Sequence, residues 1–568
     1  MKRSIVFLLL TVFLVLALVS CGGNGAAAID LDAPDGVTSA ATAAESVTSA
    51  TVESVETTVD RWEDLAPQVT IMADRLRNLR FEISVYGDAE KSSKNKAYIV
   101  GPDAIIDGET PVIEQMVYQR NKNADELLGT SIEYTYWDLK WAKQAAKIIE
   151  VVQGNAVDAP DLFVNGMYDL QKTLLTLGAF RDILTVRGSF FDFDAEGWMK
   201  EWMEGMSFTG DRAYVLGGDY FIDLLRTISV LPFNVTMMDE NAAILAPALL
   251  GETLSAGENL STRFFDLVEE GGWTWELLGK LCEAIWQDTD GNEQDSIGDR
   301  LGILADMRIS MTAGIYCYSN GEKLFIDDVV SDPNDRNFNK NWIYYPETMG
   351  ALGDIFDAVS SVYLGSGSLA TDAPVDGASP ENPGLAYHWI KFGQGETLFA
   401  GACVLGALED DAFQQMVDLF SVVPLPKVTT DQKYNSVIHD TGDAGAININ
   451  TAPLKAKVIS AYLQYAVEHS KNIRTEFMQT VTKYKTAVYN QGTDRMLDLI
   501  YDNVVGGRDK MIENVVGGNI KWHEEMKNSG YTYTSSDFIA IYEANYRSKQ
   551  NRLNEILGMW YTYPTDAK

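Results

Sequence analysis

Histidine, cysteine and basic residues are all scarce in this chain of 568 residues. Four histidines leave little room for a zinc enzyme, and four cysteines are too few for a disulfide scaffold. Lysine and arginine total 45 against 81 aspartates and glutamates, so the formal charge is −36. That balance argues against nucleic acid and anionic membrane surfaces as partners, because both require a basic footprint.

Sequence motifs of known catalytic sites are also missing. The chain has no G-x-S-x-G, H-E-x-x-H, Walker or C-x-x-C motif, and no dinucleotide glycine fingerprint. The many carboxylates leave a glycosidase acid pair open as an alternative, but nothing in the sequence singles out any pair. Hydrophobic residues make up 46% of the chain, enough to build folded cores, and the length predicts two or three of them.

The first residues have the pattern of an export signal. Lys2 and Arg3 precede an apolar run over residues 5–18, which is too short to span a membrane with margin. Cys21 directly after Leu-Val-Ser resembles the bacterial lipobox, which implies cleavage before Cys21 and acylation of its thiol, as with palmitate. We therefore predict a signal peptide at 1–20 and a lipid anchor and tether at 21–78; the alternative is a plain secretion signal with a chance cysteine.

The three other cysteines are Cys282, Cys317 and Cys403. An odd number requires no disulfide, so we expect small buried hydrophobic residues, although one pair stays open.

The folded part begins with alternating strand and helix patterns. We predict strands at 81–86, 132–136 and 161–164, with helices at 112–128 and 137–152 between them. Strands that alternate with helices indicate a parallel sheet with helices on its faces, so the sequence predicts an α/β fold.

Local signals mark further elements along the chain. Thr274 is a predicted N-cap for a helix at 275–286, and a strand at 419–423 is predicted to stop before Pro424. Another strand is predicted at 446–450. Pro453 then fits the first turn of a helix that runs to about residue 469.

An acidic loop follows the helix predicted at 275–286. Side-chain oxygens at alternate positions of a tight turn can converge on a hard cation, so we predict a structural Ca²⁺ site without a catalytic role. The predicted ligands are Asp288, Asp290, Asn292 and Asp295 through their side chains and Gln294 through its carbonyl. The loop is not a regular EF-hand, because Glu293 stands where a glycine is required and the distal acid is Asp299. The alternative is an acidic surface turn.

Several stretches together resemble the bacterial extracellular solute-binding proteins, the lipid-anchored receptors of carbohydrate-type ABC importers related to maltodextrin-binding proteins. The acidic loop also resembles one that these proteins often carry. The other stretches are APDLF (159–163), LGAFRDI (177–183), LPFN (231–234), DLVEEGGWTW (266–275), GETLFAG (395–401) and VPLPK (423–427), with Gln432 and Tyr434 after the last.

The resemblance implies two hinged α/β lobes with a ligand cleft between them, the type II periplasmic-binding-protein-like fold. Residues 79–233 and 424–470 would form lobe 1, and 234–423 and 471–568 lobe 2. The implied protein is a monomer and not an enzyme. It is held by its lipid on the outer face of a bacterial cytoplasmic membrane, of Gram-positive type, and passes a carbohydrate, expected to be an oligosaccharide, to a permease.

Ligands of open parallel sheets bind beyond the carboxyl ends of the strands. Aromatic rings can cover the apolar faces of a sugar, while carboxylates and amides bond its hydroxyls. Asp88 matches a ligand-contacting acid of maltodextrin-type relatives, although it could equally cap the next helix. The predicted ligand-binding residues are Tyr86, Asp88, Glu90, Trp137, Asn165 and Tyr168, with Trp198, Tyr220 and Trp389 as a second tier.

Two departures blur the assignment of a sugar ligand. Asn165 stands where family members often have an aromatic residue, and residues 401–404 lack a stacking aromatic. Asp161, Trp273 and Trp275 match the family, but we interpret them as structural. The alternatives are the same receptor role for a peptide or other solute, and a surface glycoside hydrolase.

Overall fold

A four-stranded sheet organises the first part of the structure, which is a computed structural model. Its strands are β1 (Leu79–Ser84), β2 (Ile132–Trp137), β3 (Leu162–Gly166) and β13 (Asp443–Ile447). β1 pairs in parallel with β2 and β3, and β13 joins the outer side of β3 in antiparallel orientation.

The described residues are 61–85, 94–106, 108–140, 143–175, 178–206, 212–306, 315, 318–321, 325–327, 342–344, 349–371, 387–401, 403–439, 441–486, 491–505 and 534–562.

Helices cover both faces of this sheet, which is why its central strands β1 and β3 are buried nearly throughout, including their polar residues Glu82, Ser84 and Asn165. The helices of this part are α1 (Arg61–Ala73), α2 (Lys94–Ile99), α3 (Val112–Leu128), α4 (Gln144–Gly154), α5 (Met167–Leu174), α6 (Lys200–Gly205), α7 (Ile222–Arg226) and α15 (Pro453–Glu468). Phe81 packs edge-on against Tyr462 of α15 on one face, and Ser84 contacts Gln144 of α4 on the other.

Helix α3 shows why the local prediction succeeded here. Its buried residues include Val117, Ala124 and Leu128, at the spacing of one helical face. Gly129 then ends the helix in the left-handed conformation with φ of 65°, and its N–H bonds to the carbonyl of Asp125.

A six-stranded sheet organises the second part. β5 (Leu301–Asp306) lies parallel to β8 (Ser368–Thr371) and β9 (Thr397–Ala400), and β4 (Ser229–Asn234) runs antiparallel to its neighbours β9, β10 (Cys403–Val404) and β11 (Phe420–Val423). The helices of this part are α8 (Val235–Glu240), α9 (Ala242–Leu250), α10 (Leu260–Glu269), α11 (Trp275–Ile285), α12 (Met349–Tyr363), α13 (Tyr387–Gly393) and α14 (Asp411–Gln414). Short 3₁₀ turns occur at Ile183–Thr185 and Leu405–Glu409.

Among the described residues, three further helices follow α15, and there are two small strand pairs. The helices are α16 (Lys471–Thr486), α17 (Gln491–Asp502) and α18 (Ser535–Thr562). The pairs are β12 (Ser436–Val437) with β14 (Val504–Val505), and β6 (Phe325–Asp327) with β7 (Trp342–Tyr344). In the described part of the chain, no helix is both long and apolar enough to cross a membrane.

The predicted α/β class is confirmed, and several boundaries agree closely. Thr274 caps α11 by accepting a hydrogen bond from the N–H of Leu277, and Pro453 opens α15. Three predicted boundaries are wrong. β1 is Leu79–Ser84 and not 81–86, and β13 ends at Ile447 before most of the predicted strand. The helix predicted from Trp137 begins at Gln144, and Trp137 itself is the last residue of β2, where it pairs with Ser84. The lobe boundaries stay a prediction. β4 and β11, which end next to the predicted boundaries after residues 233 and 423, pair with each other.

Both cysteines that lie in the described part of the chain are buried and free. They are Cys282 and Cys403, as the sequence led us to expect. Burial raises the pKa of the Cys282 thiol to about 12, so this thiol is inert. Cys21 and Cys317 lie outside the described residues.

Candidate functional site

The carboxyl ends of the parallel strands β1, β2 and β3 meet at one edge of the first sheet, which we call the strand-end edge. It contains Ser84, Trp137 and Gly166. This is where ligands of such sheets bind. The predicted residues Tyr86, Asp88 and Glu90 follow β1 directly and lie outside the described residues.

Two neighbouring aromatic residues end β2 and point to opposite faces. The indole of Trp137 is half-buried and lies tilted against Phe163, with ring centroids 5.9 Å apart. Tyr136 is 38% exposed, and the ammonium of Lys96 lies 5.2 Å from its ring centre. Tyr136 was missed from the sequence, although strand alternation places one residue of every adjacent pair on each face. It is the most exposed aromatic residue that the structure shows at this edge.

Tyr168 lies just past β3, in the first turn of α5, and is half-buried. The ammonium of Lys172, one turn later, donates to the hydroxyl of Tyr168 at 2.5 Å and lies 3.8 Å from the ring centre. Tyr136 and Tyr168 therefore each combine an aromatic face with a cationic donor at the strand-end edge.

Asn165 does not reach the surface, contrary to what a ligand contact requires. Its side chain has no exposed area, and its amide donates to Oε1 of Gln144 at 3.4 Å. Gln144 in turn donates to Oγ of Ser84 at 3.0 Å and to the carbonyl of Trp137 at 3.2 Å. The prediction that Asn165 contacts ligand is therefore wrong. Asn165 lies on β3 and, through Gln144, is linked to the ends of β1 and β2.

Glu82 is a buried carboxyl group next to this amide network. Its side chain is fully buried in the middle of β1. Burial raises its pKa well above the ordinary value, while hydrogen bonds from Asn165 and from the backbone of Trp137 act in the opposite direction. The first sheet thus places a buried carboxyl group and two amides under its strand-end edge.

The three second-tier candidates lie in other parts of the structure. Tyr220 is completely buried under the guanidinium of Arg120, 4.5 Å from its ring centre. Trp198 is 7% exposed, and its indole N–H donates to Gln464 at 2.9 Å. Trp389 belongs to α13 and packs against Phe413 in the second part of the structure. Tyr220 and Trp198 are therefore held in packing contacts of the first part, and Trp389 in those of the second.

The acidic loop forms a cluster of three carboxylates, and its membership differs from the prediction. Oxygens of Asp288, Asp290 and Asp299 all lie within 4.8 Å of one another. Asp295 instead accepts a hydrogen bond from the N–H of Gly367 at 3.1 Å, which directs it away. Glu293 adopts the left-handed conformation with φ of 58°, as the glycine that it replaces would.

The amide of Asn292 is already used within the loop. Its Nδ2 donates to Asp290 at 2.9 Å, and its Oδ1 accepts from the N–H of Gln294 at 2.7 Å. The three converging carboxylates nevertheless offer the hard oxygen ligands that Ca²⁺ prefers. Asp288, Asp290 and Asp299 would supply three of the six to eight oxygen ligands that Ca²⁺ takes.

Comparison with known proteins gives only distant likeness. No protein-family profile and no curated protein matches the chain. Several solved structures that resemble it are sugar-binding proteins, and another is UgpB from Mycobacterium tuberculosis in complex with glycerophosphocholine. The ABC substrate-binding protein Lmo0181 from Listeria monocytogenes, in complex with cycloalternan, is 13% identical, with 85% of this chain and 100% of that chain covered and a TM-score of 0.41.

Two further structures have similarly low sequence identities and TM-scores. The maltose/maltodextrin-binding domain MalE from Bdellovibrio bacteriovorus, bound to maltotriose, is 11% identical (coverage 86% and 100%, TM-score 0.42). The cyclic alpha-maltosyl-1,6-maltose binding protein from Arthrobacter globiformis is 10% identical (coverage 85% and 99%, TM-score 0.45). These values are too low to transfer the ligand or the residue roles of those proteins to this chain.

Proposed function

We propose that this chain is a lipid-anchored extracellular receptor that captures a carbohydrate, an oligosaccharide in particular, and delivers it to the permease of an ABC transporter. No covalent chemistry is involved: ligand is held by burial in the cleft between two hinged lobes and is released when docking on the permease favours the open state. The protein acts as a monomer on the outer face of the cytoplasmic membrane of a Gram-positive bacterium.

The observation that carries the proposal is the pairing of aromatic faces with polar groups at the strand-end edge. Tyr136 and Tyr168 each present a ring beside a lysine ammonium. A sugar stacks its apolar ring face on an aromatic side chain and hydrogen-bonds its hydroxyls to neighbouring donors and acceptors. The amide network beneath fixes the strand ends, which lowers the entropy that binding has to overcome.

The anchor is the second part of the proposal. It is supported by the sequence of the first residues, where the apolar run ends directly before Cys21. Two or more acyl chains on that residue would hold the protein at the membrane far better than one. Mass spectrometry of the mature N-terminus tests this directly, because an unmodified Cys21 would remove the anchor from the proposal.

We expect Tyr136→Ala to weaken the binding of the preferred oligosaccharide by about tenfold, since the variant removes an exposed aromatic platform without opening a core cavity. The ligand is first selected by thermal shift from panels of oligosaccharides and peptides, and its affinity is then measured by calorimetry. Val157→Ala is the matched control: Val157 is 90% exposed and precedes β3 at the other edge of the sheet.

Each outcome of that experiment separates the competing functions. A shift with peptides alone would replace the carbohydrate by a peptide ligand. Release of cleaved product from any sugar would identify a glycoside hydrolase instead. Equal affinity of Tyr136→Ala and the wild type would remove the strand-end edge as the ligand site.

The acidic loop is proposed to hold a structural Ca²⁺ through Asp288, Asp290 and Asp299. We expect calcium to raise the unfolding temperature by several degrees and a chelator to reverse this, because the ion neutralises three converging carboxylates in the folded state only. In Asp290→Asn the shift should be largely lost. Asp295→Asn should retain it, since Asp295 is directed to Gly367. A shift that survives in Asp290→Asn would contradict the site.

A further inference from the structure

A cavity of about 390 Å³ opens on the first part of the structure, away from the strand-end edge. We call it the side cavity. Its lining residues are Ile183, Leu184, Phe191, Asp192, Phe193, Asp194, Lys200, Met203, Glu204, Arg212 and Ala213. Its volume lies within the usual range for small-molecule sites of roughly 300–1,000 Å³.

Aromatic rings form one wall of the side cavity. Phe191 and Phe193 are half-buried and stacked, with centroids 5.0 Å apart and planes inclined by 23°. Trp198 stands edge-on to both, at 5.6 and 5.3 Å, and its own N–H is fixed by Gln464. The wall is therefore held in place before any ligand arrives, so binding to it costs little side-chain entropy.

Hydrogen bonds also fix two segments of the lining relative to each other. Oδ1 of Asp182 accepts from the N–H of Leu184 and from the N–H of Ala213, both at 3.1 Å. The backbone N–H of Ile183 donates to the carbonyl of Ala213 at 2.8 Å. The 3₁₀ turn and the segment at 212–213 thus form a rigid floor.

Charges around the side cavity are mixed and close to balanced. Lys200 pairs with Asp194 at 2.5 Å, and Arg61 approaches Asp192 at 3.7 Å. Arg212, only 6% exposed, contributes a guanidinium group, and Glu204 contributes a carboxylate. Such a lining favours neither an anion nor a cation, but it offers both donors and acceptors of hydrogen bonds.

We infer that the side cavity is a second binding site that takes a neutral saccharide unit, separate from the ligand site at the strand-end edge. A pyranose ring places its apolar face on Phe191 or Phe193, and its hydroxyls meet the carboxylates of Asp192 and Asp194 and the ammonium of Lys200. The balanced charge and the rigid aromatic wall together fit this chemical class.

The test is fluorine NMR of the full chain labelled with 5-fluorotryptophan. The chain has 12 tryptophans, and the signal of Trp198 is assigned by its loss in Trp198→Phe. D-glucose, D-mannose and maltose are the probes. We expect at least one of them to shift the Trp198 signal in a saturable manner, because Trp198 supports the wall on which the sugar stacks.

Leu184→Trp is the blocking variant, since Leu184 is 53% exposed at the side cavity and the larger side chain occupies it. It should weaken the Trp198 response at least about tenfold. Val157→Trp is the matched control and should keep the response, because Val157 is exposed elsewhere. Asp194→Lys, at a side chain 81% exposed, is a second disrupting variant in case the first is unstable.

The outcomes separate this inference from the proposed function. If other tryptophan signals shift but that of Trp198 does not, the side cavity is not a saccharide site, while the proposed receptor function is unaffected. Movement of Trp198 alone would support the side cavity and count against the strand-end site. A Trp198 response that is equal in the wild type, Leu184→Trp and Asp194→Lys would overturn the inference, as would no response to any of the three sugars.

Discussion

Replacing Arg474 by methionine is expected to lower the free energy of unfolding by about 3–5 kcal/mol at pH 8, the cost of leaving one member of a buried ion pair behind. The partner is Asp219, whose side chain has no exposed area. Nη1 of Arg474 lies 2.6 Å from Oδ2 of Asp219, and the hydroxyl of Tyr501 donates to Oδ1 at 2.7 Å. Methionine keeps most of the aliphatic chain, so the loss reports the contacts of the guanidinium, which also lies 4.0 Å from the ring centre of Tyr501 and 3.4 Å from Glu196.

The size of this loss should depend on pH in a defined direction. Burial raises the pKa of Asp219 to about 6, although Arg474 and Tyr501 act to lower it. When the pKa of an acid is higher in the folded state than in the unfolded state, the free energy of unfolding falls as pH rises. The fall extends from the pKa in the unfolded state, about 4, to the pKa in the folded state. Without Arg474 the pKa rises further, so the decline continues above pH 6, and the variant should lose less at pH 5 than at pH 8.

Denaturant unfolding of both proteins at pH 5, 6, 7 and 8 measures this dependence. Asp219→Asn combined with Arg474→Met is the control, because removing the buried charge should restore much of the stability at pH 8. An equal loss at all four pH values, or no recovery in the double variant, would show that the pair contributes through packing and not through charge.

Contacts between residues far apart in the sequence, such as this ion pair, are the part of the structure that the sequence could not predict. Asp219 lies 255 residues before Arg474 and 282 residues before Tyr501, so no local pattern marks the pair. Helix α3, by contrast, was predicted with its observed bounds, because an apolar face and a left-handed glycine are both local signals. The start of α4 was predicted too early because the pairing of Trp137 with Ser84 is a non-local contact that extends β2.

The candidate site shows the same division between local and long-range information. Order along the chain placed Trp137, Asn165 and Tyr168 near the ends of parallel strands, and that placement holds. The burial of Asn165 depends on Gln144, which comes from another element. In the acidic loop, the turn of the chain brings Asp299 to the cluster and directs Asp295 to Gly367, a residue 72 positions away.

Trp273 was interpreted from the sequence as structural, and it offers the second large effect. Its side chain is completely buried and stacks on Phe399 of β9, with centroids 5.7 Å apart and planes inclined by 26°. Phe264 of α10 meets it edge-on at 4.9 Å, and its indole N–H donates to the carbonyl of Pro424 at 3.1 Å. One side chain therefore joins a helix, a strand and the segment that follows β11.

Trp273→Ala is expected to lower the free energy of unfolding by about 3–5 kcal/mol, through lost burial and the cavity left behind. Trp273→Phe should cost less, because it keeps an apolar ring and loses chiefly the bond to Pro424. Chemical denaturation measures both losses, and calorimetry measures the affinity of the folded fraction for the oligosaccharide. That affinity should change little, since Trp273 is completely buried and so cannot contact the ligand itself. A variant that keeps its stability but loses affinity would instead show that the contacts of Trp273 with Phe399 and Pro424 set the geometry of the ligand cleft.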